Sequence, residues 1–198
     1  MSNCIILLDN GHGVDTLGKC SPDKSVLEWK ETRAIVDMLF EELVQLGFTV
    51  YKLVTEDTDI PLKERTRRAN AYCSQYGSKN VVLVSIHLNA AGNNAQWLNA
   101  TGFSSHVSNN ASAKSKLLAK MIWDEAIDNG LKGNRSVPSC GYIPQNLAIC
   151  RDTNCPAVLT ENLFMDNKKD CELILSKEGK SKIVQSHVDA LVRYDLLN

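Results

Sequence analysis

A chain of 198 residues is long enough for one domain with a sizeable core. Its 43% hydrophobic and 23% charged content are those of an ordinary globular protein. Its 22 basic and 23 acidic residues leave a net charge of −1, so it lacks the basic footprint of a nucleic-acid binder or of a protein held to an anionic membrane.

In chain order, Cys4–Asp9 reads as a buried strand, and residues 11–23 form a loop punctuated by Gly11, Gly13, Gly18 and Pro22. From Leu27 to Leu46 the pattern is helical. Ile35, Leu39 and Leu43 form one stripe, with Val36, Phe40 and Val44 beside it. Gly47 suits the helix C-terminus, and Phe48–Val54 is rich in strand formers. Pro61 opens a second helix that runs to about Tyr76. Asn80–His87 is the strongest strand, apolar almost without a break, as a strand covered on both faces requires. Ala90–Thr101 is a loop, Gly102–Val107 a strand, and Ala111–Asn129 a helix closed by Gly130. Residues 133–145 carry no periodicity. Leu147–Arg151 and Ala157–Glu161 read as short strands, and Lys168–Ser176 and Lys180–Leu196 as helices. The alternation predicts an α/β fold: a single domain with a twisted, mostly parallel sheet flanked by helices on both faces.

No apolar run approaches the length of a membrane span. Cys4–Leu8 is too short for a signal-peptide core, and Asp9 follows it without a small-residue cleavage site. The expectation is synthesis in the cytoplasm without a secretion signal of its own. The seven cysteines are odd in number, irregularly spaced and free of any CxxC, which excludes a zinc ribbon and predicts free, mostly buried thiols. A Cys150–Cys155 bridge has no support in the pattern.

The chemistry gathers at the ends of three apolar runs. Ile5–Leu8 leads to Asp9-Asn10-Gly11-His12-Gly13, Val81–Val84 to Ser85-Ile86-His87-Leu88-Asn89, and Ala157–Leu159 to Thr160-Glu161-Asn162. Polar residues at strand ends in such a fold meet in one crevice. Two imidazoles and a carboxylate there suggest a metal site with a general base, and Glu28, at the start of the first helix, is the best candidate for a third ligand. Glu31 competes with it as the carboxylate placed for the helix dipole. The glycines beside His12 let the backbone bend so that the imidazole turns inward.

These segments, with Glu28, Arg65–Asn70 (Arg-Thr-Arg-Arg-Ala-Asn) and Pro156–Phe164 in the same order and approximate spacing, resemble the zinc-dependent N-acetylmuramoyl-L-alanine amidases of the amidase-3 type. The resemblance spans Ile5 to about Asp170. It implies one zinc per chain bound by His12, Glu28 and His87, with Glu161 as the catalytic carboxylate, and a sheet of about six strands. It also implies peptidoglycan as substrate, cut between N-acetylmuramic acid and L-alanine. Glu161 then accepts a proton from water and returns it to the leaving amine. Asp9 and Asn89 are candidates for orienting the histidines. Arg65 is a candidate for a stem-peptide carboxylate, against the commoner role of a structural ion pair. Trp97 is a candidate for stacking on a sugar ring, whereas Trp29, Trp123, His106 and His187 read as structural.

The family often has a second glycine where this chain has Val14, and Gly18–Asp23 replaces a simpler loop, so the groove rim is where a departure is expected. Residues 1–198 read as one catalytic domain without a separate wall-binding domain. The leading setting is a phage or prophage lysin that reaches the wall through a membrane lesion, and a bacterial wall enzyme exported by another route is the alternative. Competing activities are a zinc peptidase acting on a stem peptide and a wall-binding module without catalysis. Intact Glu161 argues against the module. A structural zinc site is disfavoured because such sites usually close with a fourth Cys or His.

Overall fold

The computed structural model describes residues 4–93 and 95–197. Six strands form one sheet in the order β2-β1-β3-β6-β4-β5. They are β1 (Ile5–Asn10), β2 (Thr49–Lys52), β3 (Val81–Asn89), β4 (Ser104–Val107), β5 (Ile143–Pro144) and β6 (Ala157–Phe164). All neighbours run parallel except β4 and β6. The helices are α1 (Glu28–Gln45), α2 (Leu62–Tyr76), α3 (Ala113–Asp128), α4 (Ala148–Arg151), α5 (Lys168–Leu175) and α6 (Lys177–Leu196).

The continuous apolar runs became the central strands because both faces of the sheet are covered. Ile6, Leu8, Val82, Val84 and Val158 pack with Ile35 and Leu39 of α1, Leu118 and Ile122 of α3, and Ile183 and Val188 of α6. Leu7, Leu83, Ala157 and Leu159 pack on the opposite face with Ala69 and Cys73 of α2 and Ile149 and Cys150 of α4. The stripe Ile35, Leu39, Leu43 is fully buried, whereas Val44 is exposed. Helix α1 returns the chain to β2 on one side of β1, and α2 carries it across the other face to β3. The winding therefore reverses between β1 and β3, which opens a crevice at their C-terminal ends.

One expected strand is a helix. Residues 148–151 form α4, with Arg151 N–H donating to the Leu147 carbonyl at 2.8 Å and Asp152 N–H to Ala148 at 2.9 Å. Both edges of β6 are already paired, by β3 and β4, so the segment packs over the sheet instead. Four residues are too few for periodicity to separate helix from strand. The aperiodic stretch before it contributes the two-residue strand β5, whose Pro144 is tolerated because the strand is at the sheet edge.

None of the seven cysteines forms a disulfide. Five are buried, Cys20 is half-buried and Cys140 is exposed. No helix among the described residues is long and apolar enough to cross a membrane.

Candidate metal and catalytic site

The site is built at the end of β1, β3 and β6, on the face covered by α2 and α4. The registers Asp9↔Ser85 and His87↔Glu161 place these side chains in rows across three strands. Past His87 the β3–β6 register slips, so that Asn89 pairs with Phe164, and Leu163 takes a left-handed φ of 73°. A bulge of this kind re-aims the side chains beside it, and here it follows directly on Glu161 and Asn162.

His12, Glu28 and His87 converge, each offering a donor atom within 4.8 Å of the others. His12 Nε2 is 3.4 Å from Glu28 Oε2, and His87 Nδ1 is 3.1 Å from Glu28 Oε1. The two imidazoles stand edge to face, 5.2 Å between ring centroids. Leu88 N–H donates to Glu28 Oε1 at 3.1 Å, which fixes the carboxylate over β3. Glu28 Oε2 is buried without a hydrogen-bond partner. A sealed carboxylate oxygen facing an imidazole nitrogen fits a divalent cation, since a buried unpaired acceptor is otherwise costly. Two imidazoles with one carboxylate is a zinc-type donor set.

The glycines at His12 act differently from the expected bend. His12 itself adopts the left-handed backbone, with φ 60°. A Cβ on Gly11 would fall 2.5 Å from His87 Nδ1, and one on Gly13 would fall 2.0 Å from the Asp59 nitrogen. The glycines let the loop touch its neighbours. Arg33 and Thr32 of α1 then hold it: Arg33 donates to the His12 carbonyl at 3.0 Å and to that of Glu56 at 2.6 Å, and the Thr32 hydroxyl donates to the Gly11 carbonyl at 3.2 Å.

Electrostatics separate the groups. Burial lowers the His12 pKa to about 4, with Glu28 opposing and His87 and Lys19 reinforcing. Burial also disfavours charge on His87, but the hydrogen bond and charge of Glu28, with Glu161 and Asp9, outweigh it and raise its pKa. For Glu28, burial is outweighed by His87, His12 and Lys19, and the net shift is downward. Glu161 is pushed up to about 7, by burial first; His87 and Lys19 oppose and Glu28 adds. Its Oε2 is buried and unpartnered.

The remaining sequence candidates are distributed around this centre. Asp9 is buried, accepts from Ser85 Oγ at 2.6 Å and pairs with Arg65 at 2.8 Å. Arg65 is also committed to the Asn10 and Ile60 carbonyls and to Asp59. It braces the loop after β1 and has the geometry of a structural ion pair. Asn89 lies at the rim, its Oδ1 accepting from the neighbouring Ala90 N–H at 2.8 Å rather than from a histidine. Glu31 pairs with Lys180 of α6 at 2.7 Å and does not join the ligand set. Trp97 packs near α5, with Lys168 Nζ 5.6 Å from its ring, and lines neither cavity at the ligands.

Two positioning residues, Asn162 beside Glu161 and Asp166 beyond it, have roles that only the fold shows. Asn162 Nδ2 donates to the His87 carbonyl at 3.0 Å. Asp166 Oδ2 accepts from the Ala91 and Gly92 amides and so holds the loop after β3. At the rim, the unusual loop folds back through a Cys20–Leu27 bridge. Glu28 N–H donates to the Lys19 carbonyl at 3.0 Å, so Lys19 stands over the site.

A family model described as N-acetylmuramoyl-L-alanine amidase matches residues 6–193. The chain is 26% identical over 193 residues to the N-acetylmuramoyl-L-alanine amidase CwlM of Bacillus licheniformis, covering 95% of this chain and 67% of that protein. It is 26% identical over 201 residues to the endolysin of Bacillus phage SPP1, covering 98% of this chain and 66% of that protein. The chain thus spans about two thirds of the length of these curated relatives. The crystal structure of an N-acetylmuramoyl-L-alanine amidase from Clostridium difficile 630 superposes with a TM-score of 0.84 at 26% identity, covering 98% of this chain and 97% of that one.

Proposed function

The chain belongs to the N-acetylmuramoyl-L-alanine amidase family, and from that premise we propose that it hydrolyses the amide between N-acetylmuramic acid and the L-alanine of peptidoglycan stem peptides, with zinc as cofactor. The observation that carries the reading is the convergence of His12, Glu28 and His87 beside Glu161. In this reading residues 6–193 form the catalytic domain and the cell wall is its site of action.

His12, Glu28 and His87 would hold the zinc. A zinc ion held there supplies Lewis-acid polarisation of the substrate carbonyl and makes water more acidic. The protein's own residues do the rest. Leu88 N–H and the two imidazoles orient Glu28. Asn162 fixes the backbone of His87. Arg33 and Thr32 keep the His12 loop closed on α1. Glu161 is close to the ligands in register without being one of them, and a carboxylate with a pKa near neutrality can accept a proton from water and deliver it to the leaving amine. Asp9 and Arg65 support the floor by neutralising each other.

The test is digestion of purified peptidoglycan with the zinc-loaded protein, with and without a chelator, followed by mass spectrometry. Intact stem peptides with a free L-alanine amine, released only without chelator, are expected. Cleavage within the stem peptide would replace the amidase reading with a peptidase one.

A further inference from the structure

Two cavities of different chemistry meet at the ligand set. One, of about 320 Å³, is lined by Lys19, Asn89, Asn93, Glu28, Glu161 and His87, and its walls are mostly polar. The other, of about 290 Å³, shares His87 with it, touches His12 as well, and is lined on its far side by residues of α2 and α4 and the segments leading into them. Ile60, Pro61 and Leu62 form one wall, and Leu147, Ile149 and Leu159 the other. Its charged groups are Asp9, Asp59 and Arg65, and Arg65 is tied to both carboxylates and to two backbone carbonyls. Four of the five Arg65 N–H groups are thus engaged, and its charge is balanced by Asp9 and Asp59. What this cavity presents to a ligand is aliphatic contact.

We propose that the apolar cavity receives the stem-peptide side of the cut amide, with the methyl group of its first residue against Leu62, Leu147 and Ile149, and that the polar cavity receives the muramoyl sugar. The inference rests on the amidase reading and adds an orientation to it. An amide placed at the ligands must send one end into each cavity. The hydroxyl- and acetamido-bearing sugar matches the side with Lys19, Asn89 and Asn93. An alanine residue, with a methyl and no charge, matches aliphatic walls that would leave sugar hydroxyls without partners. The segment 147–149 becomes a specificity element, which its short helix and its place over β6 allow. Aliphatic pockets discriminate by small steps, about tenfold for one methyl-sized group.

The experiment compares muramoyl peptides with L-alanine or glycine at the first position, cut by the zinc-loaded protein and by its Leu62→Asn/Leu147→Asn variant, which changes the cavity from both walls. Leu62 is exposed and Leu147 half-buried, so the variant is expected to fold, which zinc content and thermal unfolding check. In the wild type, glycine should lower kcat/KM about tenfold, mainly through KM. In the variant that penalty should shrink to under about threefold, read as the ratio of the two substrates' kcat/KM and so independent of any common fall in rate. An undiminished glycine penalty in a folded, zinc-loaded variant overturns the assignment and leaves the amidase reading intact. A second measurement needs no turnover. Free stem tripeptide is titrated into the zinc-loaded Glu161→Gln protein carrying labelled Ile and Leu methyl groups. Shifts at Leu62, Leu147 and Ile149 support the orientation, and shifts confined to residues around Lys19 overturn it. If the wild type cuts neither substrate, the amidase reading falls, and the titration alone decides what the cavity binds.

Discussion

His87 and His187 lie on opposite faces of the same sheet and have opposite surroundings. His187, on α6, is fully buried. Its Nδ1 is 2.7 Å from the Ile183 carbonyl, which only a protonated nitrogen can serve, so its Nε2 accepts from Thr160 Oγ1 at 3.0 Å. Every ring nitrogen is matched by a neutral group, and burial pushes its pKa down to about 4. His87 instead faces Glu28, whose second oxygen is buried without a partner. A histidine satisfied by a carbonyl and a hydroxyl holds the fold. A histidine satisfied by a carboxylate that is itself left incomplete is ready for a cation. The two are linked through β6, because Asn162 donates both to Thr160 Oγ1 and to the His87 carbonyl.

The largest break in this comparison is removal of a ligand. His12→Ala and His87→Ala should each lose stoichiometric zinc, measured by elemental analysis, and amide cleavage with it, whereas His187→Gln should keep both. Full zinc retention in both alanine variants would remove the proposed site. Next in size is Glu161→Gln. Amide and carboxylate are nearly the same size and Glu161 is not in the ligand set, so fold and zinc should persist. Loss of a general base typically costs about 10²–10⁴-fold in rate. Cleavage of a muramoyl peptide should therefore fall at least to the lower end of that range. A variant rate near that of the wild type would take the base role from Glu161, whereas an inert zinc-loaded wild type that binds the wall tightly would favour a binding module.

Sequence made His187 legible as structural and His12 and His87 legible as a pair, because strand ends and helix stripes are local patterns. It left Glu28 and Glu31 as rivals, since both sit in the first turn of α1. Only packing separates them: Glu28 turns to β3 and Glu31 to Lys180. The purpose of Gly11 was illegible for the same reason. Its missing side chain makes room for a ring 76 positions away in sequence, not for a local turn. Asn162, Asp166 and Arg33 act through backbone groups brought near by the fold, and such contacts have no sequence spacing. Residues 147–151 were ambiguous because their choice between strand and helix was made by an already filled sheet.

The smallest effect concerns acid stability and sharpens the comparison from the His187 side. A histidine with an unfolded-state pKa near 6.5 and a folded-state pKa of about 4 binds fewer protons when folded. Its contribution to stability is complete above about pH 6.5 and is lost as pH falls toward about 4. At pH 4.5 that loss comes to roughly 2–3 kcal/mol, from about two pKa units of linkage at about 1.4 kcal/mol each. His12 carries a shift of the same direction, so the measurement is a difference between two zinc-free proteins that share it. Urea unfolding of wild type and His187→Gln at pH 7 and pH 4.5 should show the wild type losing about 2–3 kcal/mol more over that interval. Glutamine can replace both hydrogen bonds and does not titrate, so its own cost should appear equally at both pH values. Parallel losses in the two proteins would mean that His187 is not held neutral between Thr160 and Ile183, and that the contrast between the two faces lies elsewhere.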